Sequence, residues 1–322
     1  MPSLNLDEDQ RFSEFLIRGD DGSDLQSIAG LAEASPPLTL RDSTKDAIAA
    51  HAKHDAPDEA CGFIVRSQDG EQVIPAENRA ENKTRRFLIH PMEMLAASAF
   101  GTVVGVYHSH TERGPEPTGP DKLASEALNL PYVIYSVPRN DWATYVPTGY
   151  RAPLLGREWS DGISDCYSLA VDYFDRLRCC QTCQEWSAPE LTDQSCGVCR
   201  GPVDFGSHWG KKPPMLYRED YWWRRKNEDG SPKYNYLAQL YTQLDFVRVP
   251  LPTIRLNDVV VMKYDSEVVP HHLGMYLGGS QLLHHVRESL SCRVTFGDDL
   301  KRLAVMVLRY RPWVKEGDVW SK

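Results

Sequence analysis

An apolar run that ends in two histidines constrains this chain more than any other stretch. Residues 102–107 read Thr-Val-Val-Gly-Val-Tyr, and His108, Ser109 and His110 follow directly. A run this rich in β-branched residues predicts a buried strand, and alternate side chains of a strand project to the same face. We therefore expect His108 and His110 to lie side by side, with Ser109 facing away. Two imidazoles placed in this way can hold one metal ion.

Asp121 is a candidate third ligand, because only ten residues separate it from His110. Three protein ligands leave one position open for water, which is the arrangement of catalytic rather than structural zinc. The same aspartate also has a simpler interpretation. Residues 118–121 read Thr-Gly-Pro-Asp, which is typical of a helix start with Thr118 as the N-cap. That alternative needs no metal, and the local sequence leaves it open.

A carboxylate before another apolar run completes a more specific pattern. Residues 59–62 read Glu-Ala-Cys-Gly, and a strand-like run follows. The pattern E-x-C-G, then H-x-H, seven residues, a hydroxyl residue, two residues and an aspartate resembles the JAB/MPN (JAMM) metallopeptidase family. Cys61 within this motif is interpreted as a small buried hydrophobic residue.

The resemblance implies a role for each matching residue. It implies three zinc ligands: His108, His110 and Asp121. Glu59 would be the general base that takes a proton from the metal-bound water, whose pKa the metal lowers towards about 7. Thr118 stands where the family usually has serine, and its hydroxyl is a candidate for stabilising the tetrahedral intermediate.

The length of the chain, 322 residues, is long for one hydrophobic core and favours two domains. We expect an α+β fold, in which residues 45–150 form the JAB/MPN-like domain as a mixed sheet with flanking helices. Local patterns predict helices over 46–53, 91–100 and 121–129, and strands over 61–67, 70–74, 103–108, 132–137 and 142–146. Proline and glycine in 147–162 predict an interdomain linker.

The net charge of −9 is concentrated near the N-terminus. Residues 1–44 hold nine acidic and three basic residues and so contribute −6. Such a segment favours a flexible, solvated tail, and the alternative is an arm that orders on a partner through Phe12, Phe15, Leu16 and Ile17. The acidic balance argues against general nucleic-acid binding, which depends on neutralising phosphates. No apolar run approaches the roughly 20 residues of a membrane helix.

A cysteine predicted at the start of a helix is the second candidate site. A capping residue and then an apolar-periodic run place Cys166 at a helix N-terminus. The helix dipole there favours the thiolate, which is the nucleophilic form of cysteine. A cysteine in such a run is also often simply buried, so the position alone does not decide between the two interpretations.

Two histidine-bearing runs change the interpretation of this cysteine. Residues 272–278 read H-x-G-x-Y-x-G in a strand-like segment, and the next run, 281–286, contains two more histidines. A cysteine at a helix start followed by this pattern resembles the NlpC-type cysteine peptidases of peptidoglycan. The resemblance implies an NlpC/papain-like α+β domain over residues 151–322.

The same resemblance implies a set of catalytic residues. Cys166 would be the nucleophile, His272 the general base and His284 the residue that orients the base. His284 is preferred to His285 by its match to the family pattern alone. Residues 257–258 read Asn-Asp where the family usually has Gly-Asp.

Both domains in this order resemble lambda-type phage tail tip assembly proteins, over about residues 45–312. The resemblance implies a hydrolase that combines a zinc metallopeptidase with a cysteine endopeptidase. It also implies other tail tip proteins as partners, peptidoglycan as substrate, and a location in the host cytoplasm during assembly or at the virion tail tip. The alternative is a structural tail protein in which one or both peptidase sites are vestigial. A host deubiquitinase-like regulator would leave the NlpC-like half unexplained.

A four-cysteine insertion over about residues 179–205 is the third chemical feature. Two C-x-x-C knuckles are separated by twelve residues and predict a structural zinc site with four ligands: Cys180, Cys183, Cys196 and Cys199. Cys179 is adjacent and could replace Cys180. Disulfides and an iron–sulfur cluster are the other interpretations. The loop is polar and rich in glycine and proline, so a metal would supply its folding energy, and we expect a docking role.

One basic, aromatic cluster, residues 222–226, reads Trp-Trp-Arg-Arg-Lys. Its simplest interpretation is an amphipathic element with buried tryptophan and solvated arginine. The alternative is a binding site for a partner or an anionic glycan.

Overall fold

The computed structural model describes residues 38–206, 222–233, 235, 237, 241, 244–264, 269–315 and 318. The chain divides into two units, Met1–Ala152 and Pro153–Lys322. Each unit combines helices with sheets, so the predicted α+β class is confirmed. The division falls inside the predicted linker, whereas most of the acidic N-terminal segment, including its four candidate anchors, lies outside the described residues. Within the described part of the chain, no helix is long and apolar enough to cross a membrane.

The first unit is built on a five-stranded sheet of order β2-β1-β3-β4-β5. Its elements, in chain order, are α1 (Asp42–Asp55), β1 (Cys61–Ser67), β2 (Gly70–Ala76), α2 (Pro91–Ser98), β3 (Thr102–His110), α3 (Gly119–Leu128), β4 (Tyr132–Ser136) and β5 (Asp141–Tyr145). Strands β3 and β4 are parallel and the other neighbours are antiparallel, so the sheet is mixed. Parallel neighbours need a crossover connection, and α3 supplies it.

Two elements of this unit extend beyond their predicted ends for visible reasons. Strand β3 continues to His110 because its pairing with β4 runs as far as Ser136, so both histidines lie within the sheet. Helix α1 begins at Asp42 rather than at residue 46. Thr44 is buried in its first turn and donates a hydrogen bond to Glu71 over 2.6 Å. The core between α1 and the sheet is apolar and consists of Ile48, Ala52, Ala60, Ile64, Val104, Tyr107, Val133 and Tyr135.

The second unit carries a six-stranded antiparallel sheet of order β13-β12-β11-β10-β14-β9 and a three-stranded sheet of order β7-β6-β8. Its elements are α4 (Cys166–Asp175), β6 (Arg178–Cys180), β7 (Trp186–Ser187), β8 (Val203–Asp204), β9 (Phe246–Val249), β10 (Val259–Met262), β11 (His272–Gly278), β12 (Gln281–His284), β13 (Cys292–Thr295), α5 (Asp298–Leu303) and β14 (Ala304–Tyr310). Helix α4 packs against β11, and buried apolar side chains fill the space between the helix and the sheet.

Asn257 explains why the Gly-Asp expected before β10 appears as Asn-Asp. Its φ angle of 72° lies in the left-handed region, which glycine adopts freely and which asparagine tolerates better than most residues. The side chain also accepts a hydrogen bond from the Tyr173 hydroxyl over 2.6 Å and donates one to the Trp186 carbonyl over 2.7 Å. Asparagine therefore keeps the turn that glycine would make and joins α4 to the small sheet.

The next residue, Asp258, anchors a buried ion pair beneath the sheet. Both its oxygens accept hydrogen bonds from Arg309 on β14, over 2.8 and 2.6 Å, and both side chains are almost wholly buried. A second carboxylate, Asp318, lies 2.6 Å from the same guanidinium. Bidentate pairs of this kind are geometrically specific, so they hold β10 and β14 in one register.

Candidate active sites and metal centres

Strand β3 presents two imidazoles on one face, and α3 brings a carboxylate to them. The Nε2 atoms of His108 and His110 are 3.2 Å apart. Asp121 lies close to both, with its oxygens 3.3 Å from His108 Nε2 and 3.7 Å from His110 Nε2. All three side chains are buried, and Ser109 between the histidines turns the other way to accept a hydrogen bond from the Ala60 amide. The three groups predicted as ligands therefore meet at one point.

The hydrogen-bond partners of His110 decide which of its nitrogens faces this point. His110 Nδ1 lies 2.6 Å from the Gly114 carbonyl oxygen. A carbonyl only accepts, so Nδ1 carries the proton and Nε2 presents a lone pair to the other two groups. The Phe87 ring stacks on His108 at 4.5 Å and shields it from solvent. A neutral nitrogen pair with a carboxylate oxygen, enclosed by an aromatic wall, is a donor set that suits zinc.

Asp121 satisfies both interpretations that the sequence left open. It closes the capping box of α3, because its Oδ2 accepts from the Thr118 amide over 2.8 Å and from the Thr118 hydroxyl over 2.7 Å. Its Oδ1 points instead to His108. Helix capping therefore orients the carboxylate towards the histidines rather than competing with them. Because the Thr118 hydroxyl donates to Asp121, its predicted contact with a tetrahedral intermediate stays a prediction.

Glu59 lies just before β1 and is brought to the end of β3 by the pairing of these strands. The Ser109 amide bonds the Ala60 carbonyl over 2.9 Å, which sets residue 59 beside the histidines. The carboxyl group is 2 % exposed, and its Oε2 has no hydrogen-bond partner among the described residues. Burial raises the pKa of Glu59 to about 8, against a smaller lowering by Arg113, whose guanidinium is 3.8 Å away.

This raised pKa predicts a pH-dependent penalty in the metal-free protein. Between pH 4.5 and 8 the folded state keeps the Glu59 proton and the unfolded state loses it, so stability is full below pH 4.5 and falls as pH rises towards 8. The slope of one proton is about 1.4 kcal/mol per pH unit. Glu59→Gln should remove this slope. Denaturant unfolding of both metal-free proteins at pH 5 and pH 8 measures it, and parallel pH dependences would contradict the assigned burial cost.

The second unit places Cys166 at the first position of α4, as predicted. Asp165 caps the helix, accepting hydrogen bonds from the amides of residues 167 and 168 over 3.0 and 2.9 Å. The thiol is 7 % exposed, and its sulfur lies 3.9 Å from the carbonyl oxygen of His271. The helix N-terminus therefore delivers the sulfur to the strand that begins at His272.

His272 and His284 face each other across neighbouring strands. His272 Nε2 lies 3.1 Å from His284 Nδ1, and both rings are buried. Burial, followed by the His284 ring, lowers the pKa of His272 to about 3, and burial also lowers the pKa of His284. His285 turns elsewhere, towards the Ser289 carbonyl at 3.0 Å and the Trp159 ring. The contact with His272 is thus made by His284, the histidine chosen from the sequence pattern.

Two aromatic side chains that were not predicted as site residues lie at the start of β11. The half-buried Tyr264 ring lies 5.2 Å from His271 and 6.1 Å from His272. Trp223 stacks on His271 at 5.0 Å and is buried, whereas the three basic residues after it are exposed. The amphipathic interpretation of that cluster is therefore confirmed for the described side chains, which exclude that of Trp222. No local signal marks Tyr264, because only the fold brings it to the histidines.

The four-cysteine insertion forms the small sheet and two knuckles of the same shape. In each knuckle the first sulfur accepts a 3.3 Å hydrogen bond from the amide two residues later, Thr182 in one and Val198 in the other. In each, the residue four positions on has a left-handed φ, 59° at Gln184 and 61° at Arg200, and its amide bonds back to the first cysteine. Hydrogen bonds lower the pKa of Cys180 to about 6, and the bond from the Cys183 amide has the largest effect. The thiolate of Cys180 therefore forms readily.

The spacing of the four sulfurs fits a single ion. The contacts are 3.5 Å between Cys180 and Cys199 and 3.6 Å between Cys183 and Cys196, with all four within 4.8 Å. Sulfurs around one tetrahedral zinc at about 2.3 Å lie about 3.8 Å apart, whereas a multi-iron cluster holds its thiolates further apart. The pairs are too long for disulfides, and all the cysteines are free. Cys179 points to Gln184 and lies outside the cluster.

The insertion has almost no core besides these cysteines. Its buried cluster consists of Cys180, Cys196 and Val203, with Cys183 at the edge. Replacing Cys199 with serine should therefore remove one zinc equivalent and unfold the small sheet, because metal binding supplies its folding free energy. Elemental analysis and hydrogen exchange of residues 178–204 measure the two effects, and Cys179→Ser is the matched control. Iron in place of zinc, with a visible absorption band, would contradict the assignment.

Comparisons with known proteins match the first unit separately and also the greater part of the chain. Residues 41–147 match the family model described as prokaryotic homologs of the JAB domain. Tail tip assembly protein K of Escherichia phage N15 is 30 % identical over 273 residues, which cover 84 % of this chain and 96 % of that protein. The protein of the same name from Escherichia phage lambda is 26 % identical over 69 % of this chain and 89 % of its own length. A desampylase of Haloferax volcanii is 30 % identical over 32 % of this chain and 82 % of its own length.

Proposed function

Because the chain belongs to the tail tip assembly protein K family, we propose that it is a phage tail tip protein with two independent hydrolase sites. The first unit is a zinc-dependent hydrolase of a peptide or isopeptide bond. The second unit is a cysteine peptidase of the peptidoglycan stem. The protein works in the host cytoplasm during assembly, where its partners are other tail tip proteins, and it can act on the wall from the virion tail tip.

The proposal is supported by the reactive groups that each unit gathers in a buried place. His108, His110 and Asp121 converge in the first unit, with Glu59 beside them. Cys166 meets the start of β11 in the second, and His272 contacts His284 there. Clusters of buried titratable groups with shifted pKa values are typical of catalytic sites. The match of residues 41–147 to the JAB-domain family, together with the likeness to a desampylase, supports a hydrolase in the first unit.

In the first unit each residue has a separate task. His108, His110 and Asp121 would hold the zinc, which when bound would supply Lewis acidity and make water acidic near neutral pH. The Gly114 carbonyl fixes His110 in the tautomer that can ligate. Glu59 takes the proton of the attacking water and returns it to the leaving amine. Its burial keeps the carboxylate poorly solvated and therefore basic.

In the second unit the contact between the two imidazoles determines where a proton can go. Both rings are neutral at physiological pH, since the pKa of each is lowered. When His272 donates from Nε2 to His284 Nδ1, its Nδ1 is left free to accept the thiol proton of Cys166. The resulting imidazolium and thiolate stabilise each other, and the N-terminus of α4 adds to the stabilisation of the sulfur. The thiolate then attacks the carbonyl of the stem peptide.

A structural tail protein with a vestigial metal site is the second candidate, and Thr118 favours it. Its hydroxyl donates a hydrogen bond to Asp121, and threonine stands at position 118 where the metallopeptidase family usually has serine. Complementation separates the two candidates. Phage that lack the protein are supplied with wild type, Glu59→Gln or Cys166→Ala, and intact tails and infectious titre are counted. Peptidase function predicts loss of titre with a variant that is present in normal amount, and full rescue by both variants would leave only the structural role.

A further inference from the structure

Among the residues that the structure describes, Arg113 is the one half-exposed cation that contacts Glu59, the buried carboxylate of the candidate metal site. Its guanidinium Nη2 lies 3.8 Å from Glu59 Oε1, and its side chain is 48 % exposed against 2 % for Glu59. Glu59 and the three ligand residues are all buried. Arg113 therefore stands where this buried site meets solvent, which is the side from which a substrate has to arrive.

The backbone that carries Arg113 is anchored on both sides. Its own carbonyl accepts a 2.6 Å hydrogen bond from the Ser136 hydroxyl at the end of β4. The next carbonyl, of Gly114, accepts from His110 Nδ1. The backbone of Arg113 is therefore held in place, and the residue after it is hydrogen-bonded directly to a proposed metal ligand. A fixed starting point reduces the conformational entropy lost when the side chain binds something.

The guanidinium itself is only loosely engaged. The distance to Glu59 exceeds hydrogen-bond range, and this is its only ion pair with a described residue. The neighbouring arginines are different, since Arg85 pairs with Glu112 and Arg139 pairs with Glu116. A planar guanidinium offers five donors in a fork that suits a carboxylate, so Arg113 keeps most of its donors available.

We propose that Arg113 binds a carboxylate of the substrate directly beside the bond that the metal site cleaves. The site then selects peptides with a free terminal carboxylate or an acidic side chain next to that bond. Charge-assisted hydrogen bonds from a fork are strong and directional, so they orient the carbonyl over the metal as well as adding affinity. The inference rests on the proposed metallopeptidase function of the first unit.

The test uses three peptide libraries that differ only at the C-terminal end. One ends in alanine with a free carboxylate, one in alanine amide, and one in glutamate followed by alanine amide. The zinc-loaded protein is mixed with each library. Mass spectrometry then counts the peptides that stay bound to the protein and, separately, the peptides that are cleaved. Wild type should favour the two carboxylate-bearing libraries over the amide by about tenfold or more. The free-acid and glutamate libraries show which source of the carboxylate is preferred.

Arg113→Met should bring this preference close to one, and Arg113→Lys should keep part of it, since lysine retains the charge without the fork. Arg139→Met is the matched control and should show the same peptide preference as wild type. Every variant should contain as much zinc as wild type. A preference that persists in Arg113→Met, or is absent from wild type, overturns the inference. If peptides bind to the protein in a way that depends on Arg113 but are not cleaved, this inference stands and the peptidase function is refuted.

Discussion

Cys166→Ala should abolish the release of stem-peptide fragments from purified peptidoglycan. Without the sulfur no acyl-enzyme can form, and the imidazoles of His272 and His284 have no thiol proton to accept. The loss should be at least several hundredfold, down to the background of uncatalysed hydrolysis. Chelation that removes only the metal of the His108, His110 and Asp121 site should leave this cleavage intact, because the thiol route uses no metal ion at the reacting atoms. Mass spectrometry of the released muropeptides measures both effects.

The matched control for this substitution is Cys179→Ala. Cys179 is a half-buried thiol in the same unit that lies outside the four-cysteine cluster. Its removal tests whether the loss comes from any missing thiol or from the one at the start of α4. Wall cleavage should persist in Cys179→Ala. Full activity in Cys166→Ala would refute the assignment of the nucleophile, whatever the control shows.

Glu59→Gln should keep the zinc and lose the peptidase activity of the first unit. The amide nearly matches the shape of the carboxyl group, and His108, His110 and Asp121 are left in place to hold the ion. Neutral glutamine cannot accept the proton of the attacking water. General acid–base catalysis contributes typically about 10² to 10⁴-fold, so kcat should fall by that order while KM changes little.

Two comparisons make this result specific. His110→Ala should lower the zinc content as well as the rate, because it removes a ligand rather than a base. Glu112→Gln changes an exposed glutamate that pairs with Arg85, and it should leave the zinc content and the cleavage rate unchanged. Zinc stoichiometry beside the cleavage rate distinguishes the roles. Loss of zinc from Glu59→Gln would make Glu59 a ligand and overturn the division of tasks.

Much of the geometry of both candidate sites could be predicted from the sequence, because the residues proposed for them lie at positions where local rules are strict. The alternation of a strand is enough to bring His108 and His110 to one face, and a capping residue is enough to place Cys166 at a helix start. The two C-x-x-C knuckles are equally local. Each of these features depends on a few neighbouring residues, so the periodicity of the chain determines it.

Features that depend on distant contacts could not be predicted in this way. The additional pairs that carry β3 to His110 require β4, and the contact between Arg113 and Glu59 requires the chain after β3 to approach the residues just before β1. The substitution at Asn257 looked like a departure from its family pattern in the sequence. Only the fold shows that its side chain bridges Tyr173 and Trp186. Such residues carry no periodic signal, since their partners lie far away in the chain.

We propose that one chain carries two hydrolase sites that work independently. The most direct measurement is mass spectrometry of peptidoglycan and of a peptide library, each treated with wild type, Cys166→Ala, Glu59→Gln and the double variant. We expect Cys166→Ala to lose only wall cleavage, Glu59→Gln to lose only cleavage of the library, and the double variant to lose both. A single substitution that removes both activities, or a double variant that keeps either one, would contradict the claim.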